Sequence, residues 1–236
     1  DNIAAVSQNF VADNTCDGTG SNTANCDNFD TVNFISSDNR IESITQANLA
    51  TGSDAAVITQ SNDADIDQSM VLLNDCDEAD DGVNDATCEN DAQNLVGPIL
   101  QTNDATAEDS STVTQSNTIG VSQNIEGTND CDESGVGSNF AVCETHLTNT
   151  IGSITQSNTV GSISGTDTET QSNFFGLNQN LVATNDCDET GSGDNVANCS
   201  ITASTTVGDI SQSNVGSSNI LTINQDGTAT NDCDNV

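Results

Sequence analysis

The feature that most limits what this chain can fold into is an internal repeat. Asn-Asp-Cys-Asp occurs at 74–77, 129–132, 185–188 and 231–234, with a degenerate copy at Asn14-Thr15-Cys16-Asp17. Glutamines keep step with it: Gln8, Gln68, Gln123, Gln179 and Gln225 are separated by 60, 55, 56 and 46 residues. A period of this length turns the fold question into one of how each unit stacks on the next.

Two further series share the period. One is Ile44-Thr45-Gln46-Ala47-Asn48, Ile99-Leu100-Gln101-Thr102-Asn103, Ile154-Thr155-Gln156-Ser157-Asn158 and Ile210-Ser211-Gln212-Ser213-Asn214. The other is Ile58-Thr59-Gln60-Ser61-Asn62, Val113-Thr114-Gln115-Ser116-Asn117 and Glu169-Thr170-Gln171-Ser172-Asn173, which the last unit lacks. These segments are β-branched and alternate with period two, which predicts strands. Gly, Asn, Asp and Ser cluster between them as turn formers, and Pro98 stands just before a strand. The fold class is therefore all-β, with units over 1–62, 63–117, 118–173 and 174–219 and a partial fifth over 220–236. Glutamine and asparagine held in register can donate to one neighbouring copy and accept from the other, as in stacked cross-β ladders. Short units with few bulky residues favour a β-solenoid. A row of small β-sandwiches is the alternative.

Composition makes an ordinary core implausible. Of 236 residues 37 are Asp or Glu and one is Lys or Arg, giving a net charge of -36, and Trp and Tyr are absent. A chain with so little large apolar surface needs another source of order, such as backbone pairing, disulfides, cations or neighbouring copies. Arg40 alone cannot neutralise phosphates or anionic headgroups, so nucleic acid and membrane surfaces are excluded as partners. No apolar run approaches the ~20 residues of a spanning helix. The natural partners are divalent cations and further copies of the chain.

The nine cysteines lack zinc-knuckle spacing and read as a disulfide framework formed in an oxidising compartment. Together with a first residue that is not Met, this places the protein outside the cell, after removal of a secretion signal. Pairing within each loop gives Cys16–Cys26, Cys76–Cys88, Cys131–Cys143 and Cys187–Cys199, leaving Cys233 odd. Bonds joining each loop to the next are also possible.

Around each cysteine, alternation puts the flanking acids on one side and the sulfur on the other. Asp130-Cys131-Asp132-Glu133-Ser134-Gly135 and Asp186-Cys187-Asp188-Glu189-Thr190-Gly191 resemble the opening of calcium loops, where oxygens at alternate positions converge. The candidate ligands for calcium are Asp75, Asp77, Asp130, Asp132, Ser134, Asp186, Asp188 and Thr190. Stacking brings like charges to ~5 Å, where they repel by about 0.8 kcal/mol even in water. Divalent cations would remove that penalty, and a solvated acidic turn in high salt is the competing reading.

The segments Gln115-Ser116-Asn117 through Gln123-Asn124, and Gln171-Ser172-Asn173 through Gln179-Asn180, resemble curlin repeats. The resemblance implies secreted β-solenoid fibres with Gln and Asn ladders, used in biofilm matrix and adhesion. Repeats without obvious caps at either end point the same way, to a structural subunit of an extracellular filament assembled head to tail. The alternative is a monomeric calcium-binding or ice-binding module of a surface adhesin. Catalysis is not expected, because His146 is the single imidazole, and carboxylates repeated in every unit argue for structure over one unique site.

Overall fold

In the computed structural model, residues 2–18, 23–28, 37–52, 56–79, 84–107, 111–136, 138–161, 168–191, 195–214 and 218–235 are described. The side chains of Phe10, of residues 12–38, 77–79 and 84–86, and of Glu133, Asn195, Asp234 and Asn235 lie outside this description. Among the described residues every regular element is a strand. They are β1 (Asn2–Gly18), β2 (Thr23–Asn28), β3 (Ser37–Ile41), β4 (Ile44–Gly52), β5 (Val57–Ala79), β6 (Asn84–Val96), β7 (Ile99–Ala107), β8 (Thr112–Asp130), β9 (Glu133–Gly135), β10 (Asn139–Ile151), β11 (Ile154–Gly161), β12 (Thr168–Gly191), β13 (Asn195–Val207), β14 (Ile210–Ser213) and β15 (Ser218–Asn235).

Three parallel sheets result. The first runs β1-β5-β8-β12-β15 with β9 beside β12 and β5; the second runs β13-β10-β6-β2 with β3 beside β6; the third runs β14-β11-β7-β4. Each sheet draws successive strands from successive coils, with β2 and β3 sharing one place beside β6 and β9 continuing β8, so the chain is a parallel β-solenoid, and the row of separate sandwiches is ruled out. Equivalent residues pair without slip: Gln8 with Gln68, Gln68 with Gln123, Gln123 with Gln179, and Gln179 with Gln225.

Each coil is flattened. Asn62 reaches across to Thr102 O of β7, whereas Asn74 reaches Glu89 O of β6. The long first-sheet strand thus faces both shorter strands of its coil across a narrow lumen. Two glutamine series expected on separate strands therefore share one: Gln60 and Gln68 both lie on β5, Gln115 and Gln123 on β8. The unit boundaries after 62, 117 and 173 fall inside β5, β8 and β12 rather than between elements. The cysteine blocks at 74–77, 185–188 and 231–234 lie within β5, β12 and β15, whereas in the third coil Cys131 and Asp132 fall between the end of β8 and the start of β9.

The bend between the second and third sheets is built on glycine. Gly97, Gly152 and Gly208 donate to Ile41 O, Val96 O and Ile151 O at 2.7–2.8 Å. A Cβ at Gly152 would stand 2.9 Å from backbone atoms of Gly97 and Pro98, and one at Gly97 would collide with Glu42 O. Any side chain here would force the coils apart.

Inside the lumen, apolar and amide layers alternate. Ala64, Ile66, Val96, Ile99, Ile119, Ile151, Ile154 and Phe175 form one aliphatic cluster. Met70, Leu72, Ile125, Leu147 and Leu181 form a second, and cysteines fill the narrow end. Between them run columns of fully buried amides such as Gln68, Asn94, Asn117 and Asn129. Burying amides is tolerable only when their hydrogen bonds are met, and the stack meets them. Asn117 Nδ2 donates to Asn173 Oδ1 in the next coil at 2.9 Å and to Asn158 Oδ1 across the lumen at 3.0 Å, while its Oδ1 accepts from Asn62 at 2.9 Å.

Candidate functional site

Three features could act on something outside the chain: the cysteine column with its acidic rim, a buried glutamate beside it, and the two axial faces.

Parallel register stacks the cysteines in two facing columns. Cys16 stands on Cys76 and Cys187 under Cys233 in the first sheet; Cys26, Cys88, Cys143 and Cys199 succeed one another in the second. The disulfides are Cys76–Cys88, Cys143–Cys187 and Cys199–Cys233, with Cα separations of 6.5–6.7 Å. One bond lies within its coil as expected. The other two join successive coils, in place of the within-coil Cys131–Cys143 and Cys187–Cys199, and Cys233 is bonded rather than odd. The expected Cys16–Cys26 bond lies outside the described side chains. The reason for the difference is geometric: in a column a sulfur has one neighbour across its own coil and another in the next coil. Cys143 illustrates it, bonded to Cys187 with Cys131 Sγ only 2.6 Å away.

Alternation turns the flanking acids outward as expected. Cys131 and Cys187 are buried, while Asp132, Asp188, Ser134, Thr190 and Asp75 are exposed and Asp130 and Asp186 half-buried. Carboxylate oxygens of Asp132, Asp186 and Asp188 lie within 4.8 Å of one another. Asp75, Asp130, Ser134 and Thr190 stand on the same rim outside that trio, and the Asp77 side chain is not described. The convergence differs from that of a calcium loop. The segment is extended, so oxygens meet because coils stack and not because a loop curls. Partial burial pushes the Asp132 carboxyl up, helped by the charges of Asp188 and Asp75 and opposed by a backbone hydrogen bond at Asp188.

Glu189 was not among the expected site residues. It is fully buried in the lumen next to the cysteines, two positions beyond Cys187 on the inward face of β12. Its Oε1 accepts from Ala141 N at 2.5 Å, and among the described residues no hydrogen bond is formed to its Oε2. Burial pushes its carboxyl up, against the pull of the Ala141 and Val196 backbone N–H groups. Glu133 and Glu78 hold the same register on the coils below. Strand alternation from Cys187 was the available signal, since i and i+2 share a face.

The axial faces expose rungs of the amide ladders, and those ladders have a direction. Lumen glutamines donate toward the N-terminal coil: Gln225 to Gln179, Gln179 to Gln123, Gln123 to Gln68 and Gln68 to Gln8, at 2.7–2.8 Å. Gln212, Gln156 and Gln101 in the third sheet do the same. Lumen asparagines donate the opposite way: Asn2 to Asn62, Asn62 to Asn117, Asn117 to Asn173 and Asn173 to Asn219. Asn74, Asn129, Asn185 and Asn231 repeat that direction. The face at β15 therefore offers glutamine oxygens and asparagine N–H groups, and the face at β1 the converse. At the β15 face the lumen opens as a recess of about 290 Å³ lined by Leu181, Ala203, Thr205, Gln225, Gly227 and Ala229. Ile220, Leu221 and Ile223 of β15 are about half exposed there.

No protein-family model, curated protein or solved structure matches this chain.

Proposed function

We propose that the protein is a structural subunit of an extracellular filament, in which copies stack head to tail along the solenoid axis. The observation that carries this reading is the direction of the ladders. Set head to tail, the Oε1 of Gln225 meets the Nε2 edge of Gln8 in the next copy, and Asn donors meet Asn acceptors. Set head to head, acceptors face acceptors and donors face donors. Amides in a continuous chain also polarise one another, so an added copy strengthens the rungs already present. Among the described residues no strand pairs with the outer edge of β1 or of β15, and a heterologous contact between such edges grows a fibre instead of closing.

Disulfides between coils make such a filament durable, and divalent cations on the Asp132–Asp186–Asp188 rim offset the repulsion of stacked charge. Calcium suits that rim because its donors are all oxygens. The disulfides and the acidic wall support secretion and use in a matrix such as a biofilm as part of this reading.

The test is electron microscopy of purified protein in millimolar calcium and in molar salt, with fibre diffraction on aligned material. Unbranched polar filaments with a meridional reflection near ~4.8 Å are expected. Monomers alone under both conditions would sink the reading in favour of a monomeric surface module.

A further inference from the structure

The second sheet carries the chain's single histidine, at a place the repeat does not account for. In parallel register Glu144 stands beside Glu89, and His146 beside Asp91. Residues two apart on a strand share a face, so these four form a two-by-two array on the outer wall, across β6 and β10. Ligand atoms of Glu89, Glu144 and His146 lie within 4.8 Å of one another, and His146 Nε2 is 3.8 Å from Glu144 Oε2. The array rests on a rigid floor. Asn90, Thr145 and Leu147, which alternate with it, are buried, and Asn90 and Thr145 bond to the Asn129 and Asn185 rungs. The next coil has Ser200 and Thr202 at the corresponding positions.

We propose that Glu89, Glu144 and His146 bind one divalent transition-metal ion of the zinc class, with Asp91 beside it, tying the second coil to the third. One imidazole nitrogen with two carboxylates suits Zn²⁺ or Cu²⁺, whereas calcium prefers shells made wholly of oxygen. Zinc takes such ligands at about 2.0–2.2 Å, which sets donors roughly 3.4 Å apart around the ion. The donors, within 4.8 Å of one another, would close to that by rotation of the side chains. The side chains of His146 and Glu144 are 40% and 43% exposed, so an ion enters from solvent and keeps an open position for water. This donor set is separate from the all-oxygen rim at Asp132, and it does not depend on polymerisation.

The experiment titrates the full-length oxidised chain with Zn²⁺ in excess Ca²⁺, which occupies diffuse sites on the acidic surface. Imidazole nitrogen resonances report binding without ambiguity, because there is one histidine. One equivalent of Zn²⁺ should shift them, and calorimetry should show at least tenfold weaker binding in His146→Thr and in Glu89→Gln. His146→Thr installs the residue that the next coil already carries in this register, and circular dichroism checks that the fold is retained. Unmoved imidazole resonances at one equivalent, or unchanged Zn²⁺ affinity in the folded His146→Thr protein, would overturn the proposal and assign binding to the general acidic surface.

Discussion

Replacing Asn117 by Asp is the sharpest perturbation of the ladder, because it changes hydrogen-bond character at almost constant shape. Asn117 is fully buried. Its Nδ2 donates to Ser157 O at 3.2 Å, Asn158 Oδ1 at 3.0 Å and Asn173 Oδ1 at 2.9 Å. Its Oδ1 accepts from Asn62 at 2.9 Å and Asn103 at 3.1 Å. An aspartate keeps both incoming bonds but sets an anion against three oxygens. Asn117→Ala instead removes every bond and leaves a void. Several of its partners keep other bonds: Asn62 still reaches Thr102 O, and Asn103 still reaches Ser116 O. With about 1 kcal/mol for each bond lost and about 1–3 kcal/mol for each buried group left unsatisfied, Asn117→Ala should cost about 3–5 kcal/mol. Asn117→Asp should cost more at neutral pH, since a buried unpaired charge is added. It should recover part of the loss on acidification, when the carboxylic acid donates once. Asn219→Ala, on the exposed β15 rung, should cost less than Asn117→Ala, because water can replace its three bonds and no buried group is left unsatisfied. Guanidinium unfolding of the soluble subunit by far-ultraviolet circular dichroism measures all three. An Asn117→Asp protein within 1 kcal/mol (about the value of a single bond) of the parent at pH 7 would refute the ladder as a source of stability.

Two other expectations concern the cysteine end. The carboxyls of Glu189 and Asp132 are both raised by burial, so each contributes stability that is fully present below its unfolded pKa and is lost as pH rises through its folded one. The melting temperature should therefore rise as pH falls from 7 into the upper carboxylate range, and Glu189→Gln should stabilise the neutral protein by about 1–3 kcal/mol and flatten the profile. A parent profile that falls on acidification, or a Glu189→Gln protein less stable at pH 7, would show that the buried carboxylate is needed charged. Peptide mapping without reduction, using a protease that cuts at acids, should recover Cys143–Cys187 and Cys199–Cys233 beside Cys76–Cys88. Reduction opens a link that closes 44 residues of chain, for which loop entropy gives about 4 kcal/mol. Recovery of Cys131–Cys143 and Cys187–Cys199 alone would contradict the bonding between coils.

Much of the architecture was legible because a one-residue register slip would turn every amide and sulfur to the wrong face. Gln8, Gln68, Gln123, Gln179 and Gln225 could stack in only one way, and alternation about Cys131 and Cys187 correctly turned the aspartates outward. Strand extent was less legible. Gln60 and Gln68 looked like separate segments because Asp63, Asp65 and Asp67 between them resemble turn formers, yet they are outward positions of one strand.

What the sequence by itself determined is therefore the period, the in-register stacking of equivalent residues and the opposite facing of each cysteine and its flanking aspartates, since these follow from matching one unit onto the next and from strand alternation. Only the tertiary structure decided what depends on distances between coils. It chose Cys143–Cys187 over Cys131–Cys143, although a sulfur in a column has a neighbour on either side. It gathered Asp132 with Asp186 and Asp188 and set His146 beside Glu144 with Glu89 in reach, across separations in sequence that no local motif spans. It also ran the glutamine and asparagine ladders in opposite directions. An amide is nearly symmetric in shape, so its direction is fixed by the backbone carbonyls across the lumen, which only the folded coil brings within reach.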